Sequence, residues 1–317
     1  MKTRFVFFTF LFLTLSCKEN NSELLLPESN GTINSISVVI DDDLWGSEIG
    51  DLIRKEFAYP IYGLPQMEPI FDLKQIPTSV FSGFATNSRT ILKVGLSSEE
   101  RFATYKNKYA KPQLIVDLSS VSKQKLIKQI SSNKDKVLSK LYANEISEKQ
   151  RRVLKSKNPT SLIREKFGFE ILFSSSYRIA KSSEDFLWVR RDTEKGSVNF
   201  YISKIKNKKS LDINTIRDSI SRKFIPGPTE KTYMSTDEGY TPKTKAFRLT
   251  ESLKVIETRG IWEVKDQFMA GPFLNHIIAH RNNSEEFYIL EGFVYSPGTT
   301  KRDYIFELEA IFKSIKF

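Results

Sequence analysis

The chain has 317 residues, of which 39% are hydrophobic and 12% aromatic, and its formal net charge is +11 at pH 7. This composition excludes a disordered protein and supplies enough apolar side chains for the cores of two domains. After the amino-terminal segment no run of 18 residues is apolar throughout, so the sequence predicts no later membrane span.

The amino terminus has the parts of a lipoprotein signal peptide. Lys2 and Arg4 give it a positive start, and residues 5–15 are almost wholly apolar. Cys17, the only cysteine of the chain, follows the small residue Ser16 where the sequence turns polar. The apolar stretch would extend about 16 Å as a helix, which is too short for a hydrocarbon core of about 30 Å.

These features predict a lipoprotein of the bacterial cell envelope. Residues 1–16 would be removed as the signal peptide, Cys17 would be acylated, for example with palmitate, and residues 17–33 would form a polar tether. The expected location is the outer membrane, on either its periplasmic or its outer face. The alternatives are plain secretion with an unmodified Cys17 and no export at all.

Residues 34–158 are predicted to form a first α/β domain. Short apolar runs predict strands, and apolar residues at helical spacing predict helices. The expected order is a strand at 36–40, a helix at 44–57, strands at 71–76, 90–96 and 114–118, and helical residues at 121–156. The last stretch forms either one helix or two helices that meet near Asn144.

Residues 159–317 are predicted to form a second α/β domain after a break at Asn158-Pro159-Thr160. The expected elements are a short helix at 160–168, strands at 169–173, 186–191, 198–205, 245–249, 261–264, 273–280 and 287–295, and helices at 213–224 and 300–313. This order favours an antiparallel sheet with two helices on one face. It resembles the PsbP/Mog1-like α/β sandwich in fold.

The predicted fold class is therefore α/β in the α+β sense, with two sandwich domains, each a mostly antiparallel sheet packed by helices. The domain ranges are 1–16 for the signal peptide, 17–33 for the tether, 34–158 for the first domain and 159–317 for the second.

Two groups of side chains are candidates for a metal site. Asp41, Asp42 and Asp43 stand where a strand meets a helix, where carboxylates either bind Mg²⁺ or Ca²⁺ or stabilise the helix start. His276 and His280 have the spacing of a zinc-binding H-E-x-x-H pair, but the Glu is missing, and on a strand they would lie about 13 Å apart. We predict helix stabilisation and structural histidines, with no metal and no cofactor.

The sequence contains no nucleophile elbow, phosphate loop or dinucleotide fingerprint. It therefore predicts no enzyme but a binding or assembly module of the envelope. The alternative is a metal-dependent hydrolase that uses the Asp41–Asp43 cluster, with Asp41 and Asp43 as its ligands.

Two stretches are candidates for a partner surface. The loop with Tyr62, Leu64 and Met67 is apolar and stiffened by prolines, so it either binds a partner or caps a core. Residues 123–157 are strongly basic and form either a solvated helix face or a contact with anionic lipid or lipopolysaccharide. The basic candidates are Lys149, Arg151 and Arg152. The expected partners are the membrane through Cys17, and either anionic lipid or an envelope protein, with no nucleic acid.

Several short motifs together resemble one family. They are Ile40-Asp-Asp-Asp-Leu-Trp-Gly46, Gly-Leu-Pro-Gln at 63–66, Gly83-Phe84 with Arg89, Gly260-Ile-Trp-Glu263 and Gly271-Pro-Phe273. With the signal cysteine they look like an uncharacterised lipoprotein family of the Bacteroidota, classed as a domain of unknown function. The resemblance covers nearly the whole mature chain. The resemblance implies a location in the cell envelope and a chain of two domains. It implies no activity, cofactor or catalytic residue.

Overall fold

A computed structural model of the protein describes residues 25–206, 212–251, 253–279 and 286–317. Cys17, the predicted signal peptide and His280 lie outside these residues. Within them the chain forms a five-stranded sheet, an eight-stranded sheet and six α-helices, which confirms the mixed α+β class. None of the described helices is both long and apolar enough to cross a membrane.

The strands of the first sheet are β1 Ser35–Val39, β2 Asp72–Ile76, β3 Thr90–Leu96, β4 Arg101–Lys106 and β5 Leu114–Ser120. Their spatial order is β2-β1-β3-β5-β4. The pairs β1–β2, β1–β3 and β3–β5 are parallel, and β4 alone runs antiparallel. The expectation of a mostly antiparallel sheet is therefore wrong here. The long segments after β1 and β2 return the chain to the same end of the sheet before the next strand begins, so these strands run parallel.

Three helices belong to this half: α1 Asp42–Trp45, α2 Glu48–Phe57 and α3 Lys123–Leu154. The expected helix at 44–57 is divided, because Ser47 begins α2 by accepting a hydrogen bond from the Ile49 N–H. The expected helical stretch at 121–156 is one helix that continues through Asn144, whose side chain donates to Thr90 at 2.9 Å.

The two faces of the first sheet are covered differently. Helices α2 and α3 bury one face against residues such as Val38 and Val116. On the opposite face Val39, Ile91 and Ile115 are covered by side chains from the loops after β2 and β4. Alternate residues of each strand thus enter two separate cores.

The strands of the second sheet are β6 Arg178–Ser183, β7 Phe186–Thr193, β8 Gly196–Lys206, β9 Ser235–Thr236, β10 Lys243–Arg248, β11 Lys254–Val264, β12 Met269–Ala279 and β13 Glu286–Tyr295. They pair antiparallel throughout, in the order β10-β11-β12-β13-β8-β7-β6, with β9 beside β11. Its helices are α4 Ser161–Phe167, α5 Ile213–Phe224 and α6 Arg302–Phe312.

Helices α5 and α6 lie on opposite faces of this sheet, so the expectation of two helices on one face is wrong. Ile220 of α5 packs with Phe273 and Phe293, whereas Leu308 of α6 packs with Leu274 on the other side. Because β8, β12 and β13 carry apolar residues at both odd and even positions, both faces need a cover.

The expected strand at 169–173 is also absent. Phe169, Ile171 and Phe173 are buried in the core beside α6, but the segment lies outside the sheet and makes only an isolated bridge between Glu170 and Lys316. The alternating apolar residues therefore predicted a buried segment correctly, but the prediction that this segment is a strand of the sheet is wrong.

Helix α6 joins the two halves. Ile305 and Leu308 face the second sheet, while Phe306 and Ala310 pack against Ile146 and Tyr142 of α3. This double contact explains why α6 is buried nearly all round, unlike a surface helix with a single apolar stripe.

Candidate ligand-binding cleft between the two sheets

A cleft opens where α3 meets α6 and the edge of the second sheet. Its volume is about 360 Å³, and its lining comes from both halves of the chain. The lining residues are Tyr59, Ile61, Tyr62, Ile70, Asp135, Leu138, Ser139, Tyr142, Lys245, Arg259, Glu309 and Lys313. Clefts of this size between domains are common positions for small-molecule sites.

A chain of buried charges forms the floor of the cleft. Arg259 on β11 binds Glu257 through Nε at 2.8 Å and Glu309 on α6 through Nη2 at 2.5 Å. Glu309 also accepts hydrogen bonds from the Tyr142 hydroxyl at 2.6 Å and the Lys313 ammonium at 2.7 Å. Each carboxylate of the floor is thus matched by a cation, as burial requires.

The floor fixes the charge state of its own members. Burial would raise the pKa of Glu309, but Arg259 and Lys313 outweigh it and lower that pKa to about 2. Burial would also raise the pKa of Glu257. The hydrogen bond from His276 and the charge of Arg259 outweigh burial and hold this pKa well below the usual range. Burial together with Glu309 raises the pKa of Tyr142 well above that of a free tyrosine. At neutral pH the floor therefore holds two carboxylates and a neutral phenol.

His276 lies behind this floor. Its Nε2 is 3.0 Å from the Glu257 carboxylate, and its ring sits beside Phe247 and Phe312 at centroid distances of 5.7 and 5.3 Å. Burial lowers the pKa of His276, so the ring is neutral at pH 7 and donates its Nε2–H to the carboxylate. His276 thus has a structural contact, as the sequence predicts, whereas the position of His280 lies outside the described residues.

Tyrosines and lysines form the rim. Tyr62 and Tyr240 are in contact at a centroid distance of 5.1 Å, and the Lys243 ammonium lies 3.9 Å from the centre of the Tyr62 ring. Lys245 is 66% exposed and pairs with Glu257 at 3.1 Å. Burial raises the pKa of Tyr59. The rim is therefore aromatic with cations above it.

The loop that the sequence singles out connects the two halves. Tyr62 lies on the rim, and Leu64 is only 6% exposed in the core of the second half, so Leu64 contacts this chain rather than solvent. Glu68 accepts hydrogen bonds from the Lys301 and Arg302 N–H groups, at 2.8 to 3.0 Å, and so caps α6 across the interface. Met67 is 89% exposed.

The basic candidates lie near the end of α3. Lys149 binds Glu307 of α6 at 2.6 Å, while Arg151 and Arg152 both bind Glu148 at 2.7 Å. None of these three side chains lines the cleft, and the surface they form stays a prediction.

The aspartate cluster also lies apart from the cleft. Asp41 precedes α1, but its side chain makes no hydrogen bond to the helix, so the expected side-chain cap is not formed there. Asp42 instead accepts from Gln75 at 2.7 Å. Across the described ranges no three His, Cys, Asp or Glu side chains gather as a metal site would require.

Sequence reasoning missed the floor of the cleft. Two signals were available: Glu257 and Arg259 are two apart on a strand and share a face, and Glu309 and Lys313 are four apart on a helix. Neither spacing shows that strand and helix meet, because that depends on how α6 packs.

Two family models match the chain. The model described as Domain of unknown function (DUF4837) covers residues 156–314, and the one described as Domain of unknown function (DUF8532) covers residues 29–154. The chain belongs to the DUF4837 family, whose model spans half of it, and the expectation of an uncharacterised family is confirmed.

No curated protein matches the chain. Among solved structures it is similar to the human StarD13 (DLC2) lipid transfer and protein localization domain, at 8% identity and TM-score 0.22, over 44% of this chain and 88% of that one. It is also similar to human StAR-related lipid transfer protein 5, at 9% identity and TM-score 0.19, over 53% and 97%. At these scores neither likeness bears on fold or function.

Proposed function

We propose that this protein is a lipid-anchored binding module of the bacterial envelope, and that the cleft between its two sheets is the binding site. The signal sequence that ends directly before Cys17 supports the anchor. The observation that carries the binding role is the cleft itself, a cavity of about 360 Å³ with tyrosine walls and a floor of paired charges.

The lining favours a small, largely apolar ligand that carries one negative charge. Tyr59, Ile61 and Leu138 offer apolar and aromatic surface. Among the lining residues cations outnumber carboxylates by one, with Lys245, Arg259 and Lys313 against Asp135 and Glu309. An anionic group near Lys245 would meet a cation whose side chain is 66% exposed.

The floor supports binding better than catalysis. Glu309, Arg259, Lys313 and Tyr142 are engaged with one another, so a ligand meets a site that is already assembled. His276 is separated from the cavity by Glu257 and by aromatic rings, where it holds the carboxylate in place.

An apolar dye with one sulfonate, anilinonaphthalene sulfonate, tests the site by fluorescence titration. We expect one saturable site in the wild type and its loss in Ser139→Trp, which fills the cleft from an exposed position on α3. The matched control is Ser131→Trp, an exposed serine of the same helix outside the lining. Equal binding by all three proteins, with unchanged melting temperatures, would contradict the proposal.

The alternative, a metal-dependent hydrolase, makes a different prediction. Elemental analysis of the purified protein would then find a stoichiometric divalent ion that disappears in Asp41→Asn or Asp43→Asn. We expect no such ion in either the wild type or these variants.

A further inference from the structure

We propose that the protein docks on the anionic lipid bilayer that holds its anchor, through a surface beside the point where the tether joins the fold. This proposal rests on the lipid anchor proposed above. The tether-proximal surface consists of Leu25, Phe84, Lys106, Lys108 and Lys111.

Three chain segments meet at this surface, at the end of the first sheet where the parallel strands β1, β3 and β5 begin. The tether segment joins the β4–β5 loop, where the Ser29 N–H donates to the Lys111 carbonyl at 3.2 Å. It joins the loop before β3 as well, where the Asn30 N–H donates to the Asn87 carbonyl at 2.9 Å. The two loops are tied together by the Gln113 amide, which donates to the carbonyls of Thr86 and Ser88.

The end of the tether is held firmly to the fold. The Arg89 guanidinium donates to the carbonyls of Gly31 and Thr32 and to the Glu145 carboxylate, at 2.6 to 2.8 Å. Glu145 is fully buried and also accepts from the Asn34 N–H at 2.7 Å. The point at which the chain leaves the folded body is thereby defined.

The length of the tether limits which surface meets the bilayer. Only seven residues lie between Cys17 and Leu25, so the eight Cα-to-Cα steps from one to the other span at most about 29 Å. A folded body of this chain length is about 50 Å across. Because the tether is shorter than the body, the surface around residue 25 stays close to the lipid headgroups.

The chemistry of the surface fits anionic headgroups. Leu25 is 97% exposed and Phe84 is 79% exposed, so apolar side chains project beside the tether. Residues 77–89 and 101–113 contain no acidic residue. Lys108 lies over the rings of Tyr105 and Tyr109, at 4.8 and 5.2 Å, an arrangement of aromatic rings and cation suited to a membrane interface.

The basic end of α3 lies beside the same surface. Arg151 and Lys155 approach Glu28 of the tether segment at 3.7 and 3.9 Å, and the Arg152 guanidinium donates to the Gly31 carbonyl at 2.9 Å. The cationic loops and the cationic helix end therefore face the bilayer together.

Fluorescence quenching by nitroxide lipids tests this orientation on the full mature chain. The lipoprotein is purified from membranes as Phe84→Cys, labelled at the new thiol with a nitrobenzoxadiazole dye, and placed in nanodiscs of anionic phosphatidylglycerol or neutral phosphatidylcholine. Phe268→Cys is the matched control, because Phe268 is a fully exposed phenylalanine on the β11–β12 turn, and no described contact links it to the tether segment.

We expect a blue shift and strong quenching at position 84 in anionic nanodiscs, and neither at position 268. Lys108→Gln and Lys111→Gln should each lower the ratio of docked to undocked protein about fivefold. The exposed Lys195→Gln should change nothing. Equal quenching at both positions, or none at position 84, would overturn the proposal.

The number of dye molecules per chain separates the two proposals. One dye shows that Cys17 is blocked, so that absent quenching at position 84 rejects only the docking surface. Two dyes show a free Cys17, which rejects the anchor and the docking geometry that depends on it.

Discussion

Single ion pairs in the interior link distant parts of this sequence. Arg89 and Glu145 are 2% and 0% exposed, and their 2.6 Å contact connects the residue before β3 to the long helix α3. Arg217 and Glu291 form a second such pair, at 2.6 Å, between α5 and β13. Such pairs contribute little when compared with apolar packing, but breaking one leaves a buried charge unmatched.

Replacement of Arg89 therefore has a large expected effect. Arg89→Ala should lower the free energy of unfolding by about 3–5 kcal/mol, because Glu145 would stay buried without its partner. Arg178→Ala, which removes an exposed pair with Asp192, should cost about 1 kcal/mol or less. Urea unfolding followed by circular dichroism measures both values, and similar losses would refute the role of burial.

Acid should weaken the cleft floor through Glu309. Its pKa is about 2 in the folded protein against 4.5 when free, so its contribution is complete above pH 4.5 and is lost as the pH falls towards 2. The shift corresponds to about 3 kcal/mol. Glu309→Gln should be less stable at pH 7 and lose less stability over that acidic range. Unfolding curves measured from pH 7 to 2 test this, and an unchanged slope in the variant would argue against it.

The residues of the floor mark the limit of inference from sequence. Glu309 and Lys313 show helical spacing, and Glu257 and Arg259 show strand spacing. The sequence alone therefore predicts that the two members of each pair lie on the same face. The contact between these two pairs could not be predicted from the sequence, because it depends on the position of α6 between the two sheets. The lipidation of Cys17 is predicted from a signal in consecutive residues, and it stays a prediction.

Helix α6 is the element on which the architecture depends. Its amino terminus has no side-chain cap of its own, and Glu68 from the other half of the chain accepts its first N–H groups. The carboxylate also lies at the positive end of the helix dipole. The first half thereby stabilises a helix whose apolar face belongs to the second.

Loss of this cap should loosen α6. Glu68→Ala should lower the free energy of unfolding by about 1–2 kcal/mol and speed hydrogen exchange at residues 301–305. Glu99→Ala, which alters an exposed loop, is the control. Exchange mass spectrometry compares the variants, and unchanged protection of α6 would show that the cap is dispensable.

Elements were predictable where their pattern was long. Strand β13 and helix α5 match their expected ranges closely, because ten or more residues carry a consistent apolar pattern. Strands β4 and β6 were missed, since each is six residues long and largely solvent-facing. The direction of strands in the first sheet was also missed, because it depends on crossovers rather than on the strands themselves.

At the scale of the whole molecule, contacts around α6 connect the two halves of the chain. Phe306 meets Tyr142 of α3 at a centroid distance of 5.3 Å, and Arg302 binds Asp72 of β2 at 2.8 Å. The cleft lies along this same boundary. A ligand bound there would therefore contact both halves in a fixed relation.

The two halves should unfold together. Calorimetry of the wild type should give one transition, with equal calorimetric and van't Hoff enthalpies. Phe306→Ala, which removes a buried ring from the boundary, should cost about 3–5 kcal/mol and separate the transition into two. Two transitions in the wild type would mean that the halves are independent.

The lipid anchor at Cys17 is the central claim, because the envelope address and the docking surface both depend on it. Cells expressing the protein are grown with an alkyne-bearing palmitate analogue, and the incorporated label is compared between the wild type and Cys17→Ala at equal protein amounts. We predict strong labelling of the wild type and none of the variant. Equal labelling of the two, or an unlabelled wild type, would contradict the account.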